Sequence, residues 1–573
     1  MNLESATHKR RVSLLGLWLI MAGLVSGINA PSAWAQREVR RPRLVVLIVV
    51  DQMREDYLTR FRQDYGDGGF QRMMTNGAHF ANAYVPYGTS TTAAGHSTIV
   101  TGRFPRQHSI IANEWVQGLP NPSLKGAFYD PDAKILVGPG GASEGRSPRN
   151  LIGTALGDQL RLASAGSRVF SVALKDRAAI GMGGKRPNGV FWWDLNTGQF
   201  VSSNYYMKEV PAYVAEFNKQ RWADRFLNNK WDRVLPAAAY LLTYPSDPQW
   251  LTNTEGLGPE FPHVLPRPEG GKPGREFYSA VFTSPFGNDV VLEMARRILV
   301  GERLGSNETP DLLCISLSSF DAAGHIFGPD SPEMMDFAVR TDRQLAVFLE
   351  LLERTVGLNR CLVVLTADHG ITTAPRLANV LGLGGGRIDL AATAKAVNAK
   401  LNDIAALPGN RDYVTAASLP WVYLDPSVNA LETQVHTQVM NTARQMFRAV
   451  EGVADVFSGT DLTGNAPASP DMFQRRLAWR SYYPGRSGDI YLHLAPYWGI
   501  KGGDFAEHGT SYNQDRHIPI IIMGGGARPG RYMTEAQLTD IPVTIAAMLG
   551  IEPPLEAVGR VLNEALDPTE AVR

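Results

Sequence analysis

Three uninterrupted apolar runs, each delivering an aspartate, organise the chain. Leu44-Val-Val-Leu-Ile-Val-Val50 leads straight into Asp51. Leu312-Leu-Cys-Ile-Ser-Leu317 leads through Ser318, Ser319 and Phe320 to Asp321, and Leu362-Val-Val-Leu-Thr-Ala367 leads into Asp368. Runs of this length, rich in β-branched residues and without polar alternation, predict strands buried on both faces. Helical stretches separate them, so the expected class is α/β, a mainly parallel sheet flanked by helices. Ligands bind such sheets beyond the carboxyl ends of the strands, where the three aspartates would meet. Two other stretches read as inserted lobes. Residues 183–275 are rich in Trp, Pro, Asn and Gly, and residues 378–500 contain a helix carrying Val435, Val439, Ala443, Met446, Phe447 and Val450 at helical spacing. Their aromatics are expected mainly in lobe cores, a minority forming a cap over the site.

The N-terminus has a different pattern. Lys9-Arg10-Arg11, the apolar stretch Leu14 to Val25 and Ala33-Trp34-Ala35 before Gln36 have the order of a secretory signal. The expected division is therefore a signal peptide at 1–35 and a catalytic domain over 36–573. The mature protein is expected in a bacterial periplasm or secreted, without a stable membrane anchor. The 573 residues, 44% apolar, suffice for a large core, and 56 basic residues balance 56 acidic ones. Removing 1–35, with three of the former and one of the latter, leaves a charge of −2. No basic excess points to a nucleic-acid scaffold, so affinity for any anion must come from a local site. Cys314 and Cys361 are too few for a disulfide scaffold; both sit in strand-like runs, and two buried free thiols are expected rather than a bond.

Candidate chemistry gathers at the strand ends. In Asp321-Ala-Ala-Gly-His325 the four-residue spacing puts carboxylate and imidazole on one helical face. Asp368-His369 is a second pair, and Asp51 and His508 complete six N/O ligands. Two divalent ions need about that many with positions left open, and imidazole plus carboxylate without thiolate suits catalytic zinc. In Thr91-Thr92-Ala-Ala-Gly-His96, small residues lead into a helix start, where free N–H groups favour phosphate. A threonine hydroxyl is a poor nucleophile unless a metal activates it, so read alone this segment is a helix N-cap, with Thr92 as a candidate nucleophile only beside the metal ligands.

The order Asp51, Thr92, Asp321-x-x-x-His325, Asp368-His369, His508 resembles the alkaline phosphatase superfamily, in particular its single-chain, phosphate-irrepressible members that use threonine. Asn113 matches their phosphate-contacting asparagine, and Lys175 and Arg177 match their Lys-x-Arg clamp. The resemblance runs from about Leu44 to about Pro553, where Asp540-Ile-Pro-Val-Thr544 resembles the closing helix, and is weakest in the two inserted stretches. It implies two zinc ions per chain, one on Asp321, His325 and His508, the other on Asp51, Asp368, His369 and the Thr92 oxygen. It also implies hydrolysis of small-molecule phosphate monoesters through phosphothreonine, in a chain expected to be monomeric. His96 and His517 are expected to be structural. The alternatives are a nucleotide pyrophosphatase/phosphodiesterase of the same superfamily, from which Lys175 and Arg177 separate the chain, and an inactive cell-surface phosphate-binding protein.

Overall fold

The seven residues Leu44–Val50, all fully buried, form a middle strand of an 11-stranded sheet in the computed structural model of this protein. The structure describes residues 41–566 apart from 118–122, 137–143, 245–247, 252–253, 268–269, 271 and 406–410, so the proposed signal at 1–35 lies outside the described residues. A strand with no exposed face can only sit between parallel neighbours roofed by helices on both sides. Leu44–Val50 pairs in parallel with Asp311–Leu317 on one side and Cys361–Thr366 on the other. Val169–Ala173 and then Gly189–Asp194 extend the parallel run. Antiparallel neighbours close it: His517–Gly524 beside Cys361–Thr366, and Gln199–Ser203 beside Gly189–Asp194. The mainly parallel α/β expectation therefore holds.

Register places the chemistry on one edge. Val50 stands opposite Leu317 and Val49 opposite Thr366, so Asp51, Asp321 and Asp368 leave the sheet from the same carboxyl end. Val169–Ala173 ends at that edge too and delivers Lys175 two residues later. Cys314 faces Leu47 and Cys361 faces Leu44, so the middle strand separates the two thiols; both are free, and burial pushes each up to about 12.

The stretch 183–275 does not stand wholly apart, because Gly189–Asp194 and Gln199–Ser203 belong to the central sheet. Trp193, Phe200, Phe217 and Trp231 pack into the main core. Its Trp and Gly content masks strands whose aromatics face that core. Within 378–500, four strands (Val414–Ser418, Trp421–Leu424, Val453–Ser458 and Ile490–Leu494) form a separate antiparallel sheet. The helix Thr433–Arg448 covers it, burying Val439, Ala443 and Phe447 along the stripe its spacing predicts. No helix of the described residues is long and apolar enough to cross a membrane.

Candidate metal centre and phosphate site

Asp321 and His325 lie one turn apart on the helix Ser319–Phe327, with His325 Nε2 3.5 Å from Asp321 Oδ1. His508, from a loop almost two hundred residues later in the chain, brings its Nε2 to 3.5 Å from the same oxygen. Behind them, His369 Nε2 stands 3.6 Å from Asp51 Oδ1 and 3.3 Å from Asp368 Oδ2. The six side chains thus form two triads, Asp321/His325/His508 and Asp51/Asp368/His369, each with its donor atoms within 4.8 Å of one another. The rings of His369 and His508 stack at 3.7 Å between centroids, which joins the triads. Asp321, His325 and His508 line a cleft of about 700 Å³, whereas Asp51, Asp368 and His369 are completely buried.

Every imidazole is held by its other nitrogen. His325 Nδ1 donates to Ala506 O (2.8 Å), His508 Nδ1 to Ser90 O (2.8 Å) and His369 Nδ1 to Gly370 O (2.9 Å). A carbonyl accepts only, so Nδ1 carries a proton in each ring, and Nε2, a lone pair whenever the ring is neutral, faces the carboxylates. Acceptors turned on acceptors repel unless a cation lies among them. Asp51 Oδ1, Asp368 Oδ2 and His369 Nε2 are, among the described residues, buried atoms without a hydrogen-bond partner. Orphaned lone pairs in a buried cluster are costly, and coordination to cations satisfies all of them. The donor set fits a binuclear metal centre.

Electrostatics agree. Burial, helped by the charge of Asp368, raises Asp51 well above its ordinary value. Burial pushes Asp321 the same way, but the charges facing it, the Lys175 ammonium first, outweigh it and hold the carboxyl well below the usual range. Burial brings His369 down to about 3, which keeps the ring neutral and its lone pair free.

Thr92 is the first residue of the helix Thr92–Thr101 and is fully buried. Its side chain makes no cap; the N-cap position belongs to Thr91. Asn113 fixes the helix start by accepting from Ala93 N (2.9 Å). Gly95 brings the helix against the second triad: a Cβ there would stand 2.5 Å from Asp368 O and 2.6 Å from Asp368 Cβ. Gly95→Ala is expected to cost about 1–3 kcal/mol of stability, the range for overpacking, and to reduce metal content with it. Thermal melting and metal analysis check this; unchanged values in both would show that the contact is slack.

Lys175 and Arg177 differ in their placement. Lys175 Nζ donates to Asp51 Oδ2 (2.8 Å) and to Asp321 Oδ2, and lies 3.3 Å from Thr92 Oγ1. Two buried carboxylates at a shared edge draw it inward. Arg177 lines the cleft with Asn113 and Lys175, and its Nε is buried without a partner among the described residues.

Three residues beyond the expected set reach the centre. Gln52 contacts both Asp321 and Asp368. His96, expected to be structural, has Nδ1 2.9 Å from Thr92 O and 3.1 Å from Asp368 Oδ2, which places its ring between the threonine helix and the second triad. Its four-residue spacing from Thr92, like that of Asp321 and His325, was the available signal. Buried Asp515 accepts from Thr510 N, Thr510 Oγ1 and Thr372 Oγ1 while its carbonyl accepts from Gly370 N, clamping the loops that carry His508 and His369. His517 does hold structure, with Nε2 at Ala81 O and its ring stacked on Tyr84.

Comparison with known proteins agrees with this geometry. Residues 45–513 match the sequence family described as type I phosphodiesterase / nucleotide pyrophosphatase. A Myroides odoratus protein named calcium-transporting ATPase is 34% identical over 541 residues, 93% of this chain and 96% of that protein. Alkaline phosphatase PhoV of Synechococcus elongatus is 33% identical over 541 residues, 94% of this chain and 95% of that one. The crystal structure of wild-type alkaline phosphatase PafA matches with a TM-score of 0.81 at 32% identity, over 92% of this chain and 99% of that one.

Proposed function

Since this chain belongs to the type I phosphodiesterase / nucleotide pyrophosphatase family, within the alkaline phosphatase superfamily, we propose that it is a zinc-dependent alkaline phosphatase. It hydrolyses phosphate monoesters through a covalent phosphothreonine on Thr92 and releases inorganic phosphate. The observation that carries this reading is the orientation of three imidazoles. Each is pinned at Nδ1 by a backbone carbonyl and turned through Nε2 towards carboxylates. The Thr92 hydroxyl lies beside the same carboxylates, 3.3 Å from the Lys175 ammonium that binds Asp51 and Asp321.

Asp321, His325 and His508 would hold one zinc and Asp51, Asp368 and His369, with the Thr92 oxygen, the other. Bound there, the two ions supply Lewis acidity at the attacking and the leaving oxygen. Thr92 Oγ1 forms the bond to phosphorus as the ester oxygen departs with its electron pair, and water then displaces Thr92 to yield phosphate. Arg177 and Lys175 offer charged donors, and Asn113 a side-chain amide, to the phosphoryl oxygens. The start of the Thr92–Thr101 helix adds its positive end. Loss of protons from threonine and water favours an alkaline optimum. Ser418, at the end of the strand Val414–Ser418, and the following Leu419 reach a cavity beside Asn113 and Arg177, which supports a cap role for the 378–500 lobe. With 1–35 removed as a signal, the enzyme would act in the periplasm or outside the cell.

Exhaustive dialysis against a strong chelator is expected to abolish hydrolysis of p-nitrophenyl phosphate in parallel with loss of about two zinc ions per chain. Added zinc should restore both. Full activity in protein shown by metal analysis to hold no zinc would overturn the reading.

A further inference from the structure

Gln52 follows Asp51 in a turn closed by Met53 N donating to Val50 O (3.1 Å). It is fully buried, and its φ is 72°. A long side chain at positive φ is held only when its surroundings over-determine it, since glycine or asparagine fits such turn positions with less strain. The surroundings here are the two metal triads. Gln52 N donates to Asp368 Oδ1 (3.1 Å), and Gln52 Nε2 donates to Asp321 Oδ1 (2.8 Å). The acceptor of that second bond is the oxygen that stands 3.5 Å from both His325 Nε2 and His508 Nε2. A carboxylate oxygen only accepts, so the nitrogen end of the amide must face it. The other end presses against Gly324, where a Cβ would come within 1.8 Å of Gln52 Oε1; the helix carrying Asp321 and His325 leaves room for this one amide.

We propose that Gln52 is a positioning residue with separate roles at the two metal sites. Its side chain holds Asp321 in the ligand set with His325 and His508, and its backbone N–H holds Asp368 in the other. The strained turn serves this purpose: at a φ of 72° this one residue addresses both carboxylates from the end of the middle strand. The inference rests on the two-zinc reading and adds that one site can be loosened without the other. Hydrogen-bond partners of metal ligands commonly change metal affinity about 10- to 100-fold when removed.

Gln52→Gly tests it. Glycine accepts φ near 72° without strain and keeps the N–H to Asp368, but removes the amide that reaches Asp321. Gln52→Asn, also tolerant of positive φ but one methylene too short to reach Asp321, is the second variant should the first fold poorly. Each protein is equilibrated with graded chelator, its zinc content is measured, and the melting temperature of the chelated protein is recorded. The expected result is that one of the two zinc ions leaves both variants at about 10- to 100-fold lower chelator strength, while the other leaves as in wild type. The zinc concentration for half-maximal activity should rise by the same factor, with the melting temperature of the chelated protein not lowered. Release of both ions together, at the wild-type chelator strength or below it, would overturn the proposal. A wild type that never holds two zinc ions would remove the reading beneath it, and the proposal with it.

Discussion

Thr92→Ala is expected to lower kcat/KM for p-nitrophenyl phosphate by about 10⁴-fold or more, the scale seen when a covalent nucleophile is deleted. The fold should survive, because alanine is the better helix former and Ala93, Asn113 and Gly95 keep the start of the helix in place. Zinc should remain largely bound, since the six carboxylate and imidazole ligands lie on other residues. Thr92→Ser keeps the hydroxyl and should retain measurable turnover. Acid quenching of the wild-type enzyme during turnover should trap phosphate on Thr92, located by mass spectrometry. Phosphate on another residue would exclude Thr92 as the nucleophile, and inversion of configuration at phosphorus would exclude the two-step route.

A double Lys175→Ala, Arg177→Ala variant is expected to lose about 10² to 10⁴ in kcat/KM for monoesters, and much less for the matching methyl diesters. The magnitude follows from about 1.5–3 kcal/mol for each charge-assisted hydrogen bond realised in the transition state. A monoester presents an additional unsubstituted, charged oxygen, and a diester puts an organic group in its place. Because Lys175 also neutralises Asp51 and Asp321, its removal disturbs the metal centre for every substrate. That damage divides out of the ratio between substrates, which is therefore the quantity to measure. Equal losses would make the two cations scaffold only. A wild-type preference for the diester would place the chain with the phosphodiesterases for which its sequence family is described.

How far these outcomes could be anticipated depends on the range of the interactions. The paired spacings, Asp321 with His325 and Asp368 with His369, are local, and local geometry on a helical turn or at a strand end survives in a linear string. The same holds for Thr92 before a run of small residues. Gln52 was legible as a position but not as a contact: nothing in its neighbours announces a φ of 72° or a bond to Asp321 269 residues away. Asp515 carries no such local signal, because its partners Thr372 and Thr510 enter from different loops.

The sequence alone determined that three strands would be buried on both faces, since apolar runs such as Leu44–Val50 have no solvated face to offer. With that came the parallel sheet, the carboxyl edge where Asp51, Asp321 and Asp368 meet, and the six donors that can surround two cations. Only the tertiary structure decided how those donors are aimed. Ala506 and Ser90 keep a proton on Nδ1 of His325 and His508. The buried carboxylates draw Lys175 between Asp51 and Asp321. The sheet order, likewise, places the strands Gly189–Asp194 and Gln199–Ser203 in the central sheet. The physical reason is common to all of these. Burial and periodicity are properties of a segment and can be read along it. Hydrogen-bond direction and charge pairing belong to atoms that become neighbours only after the chain has closed.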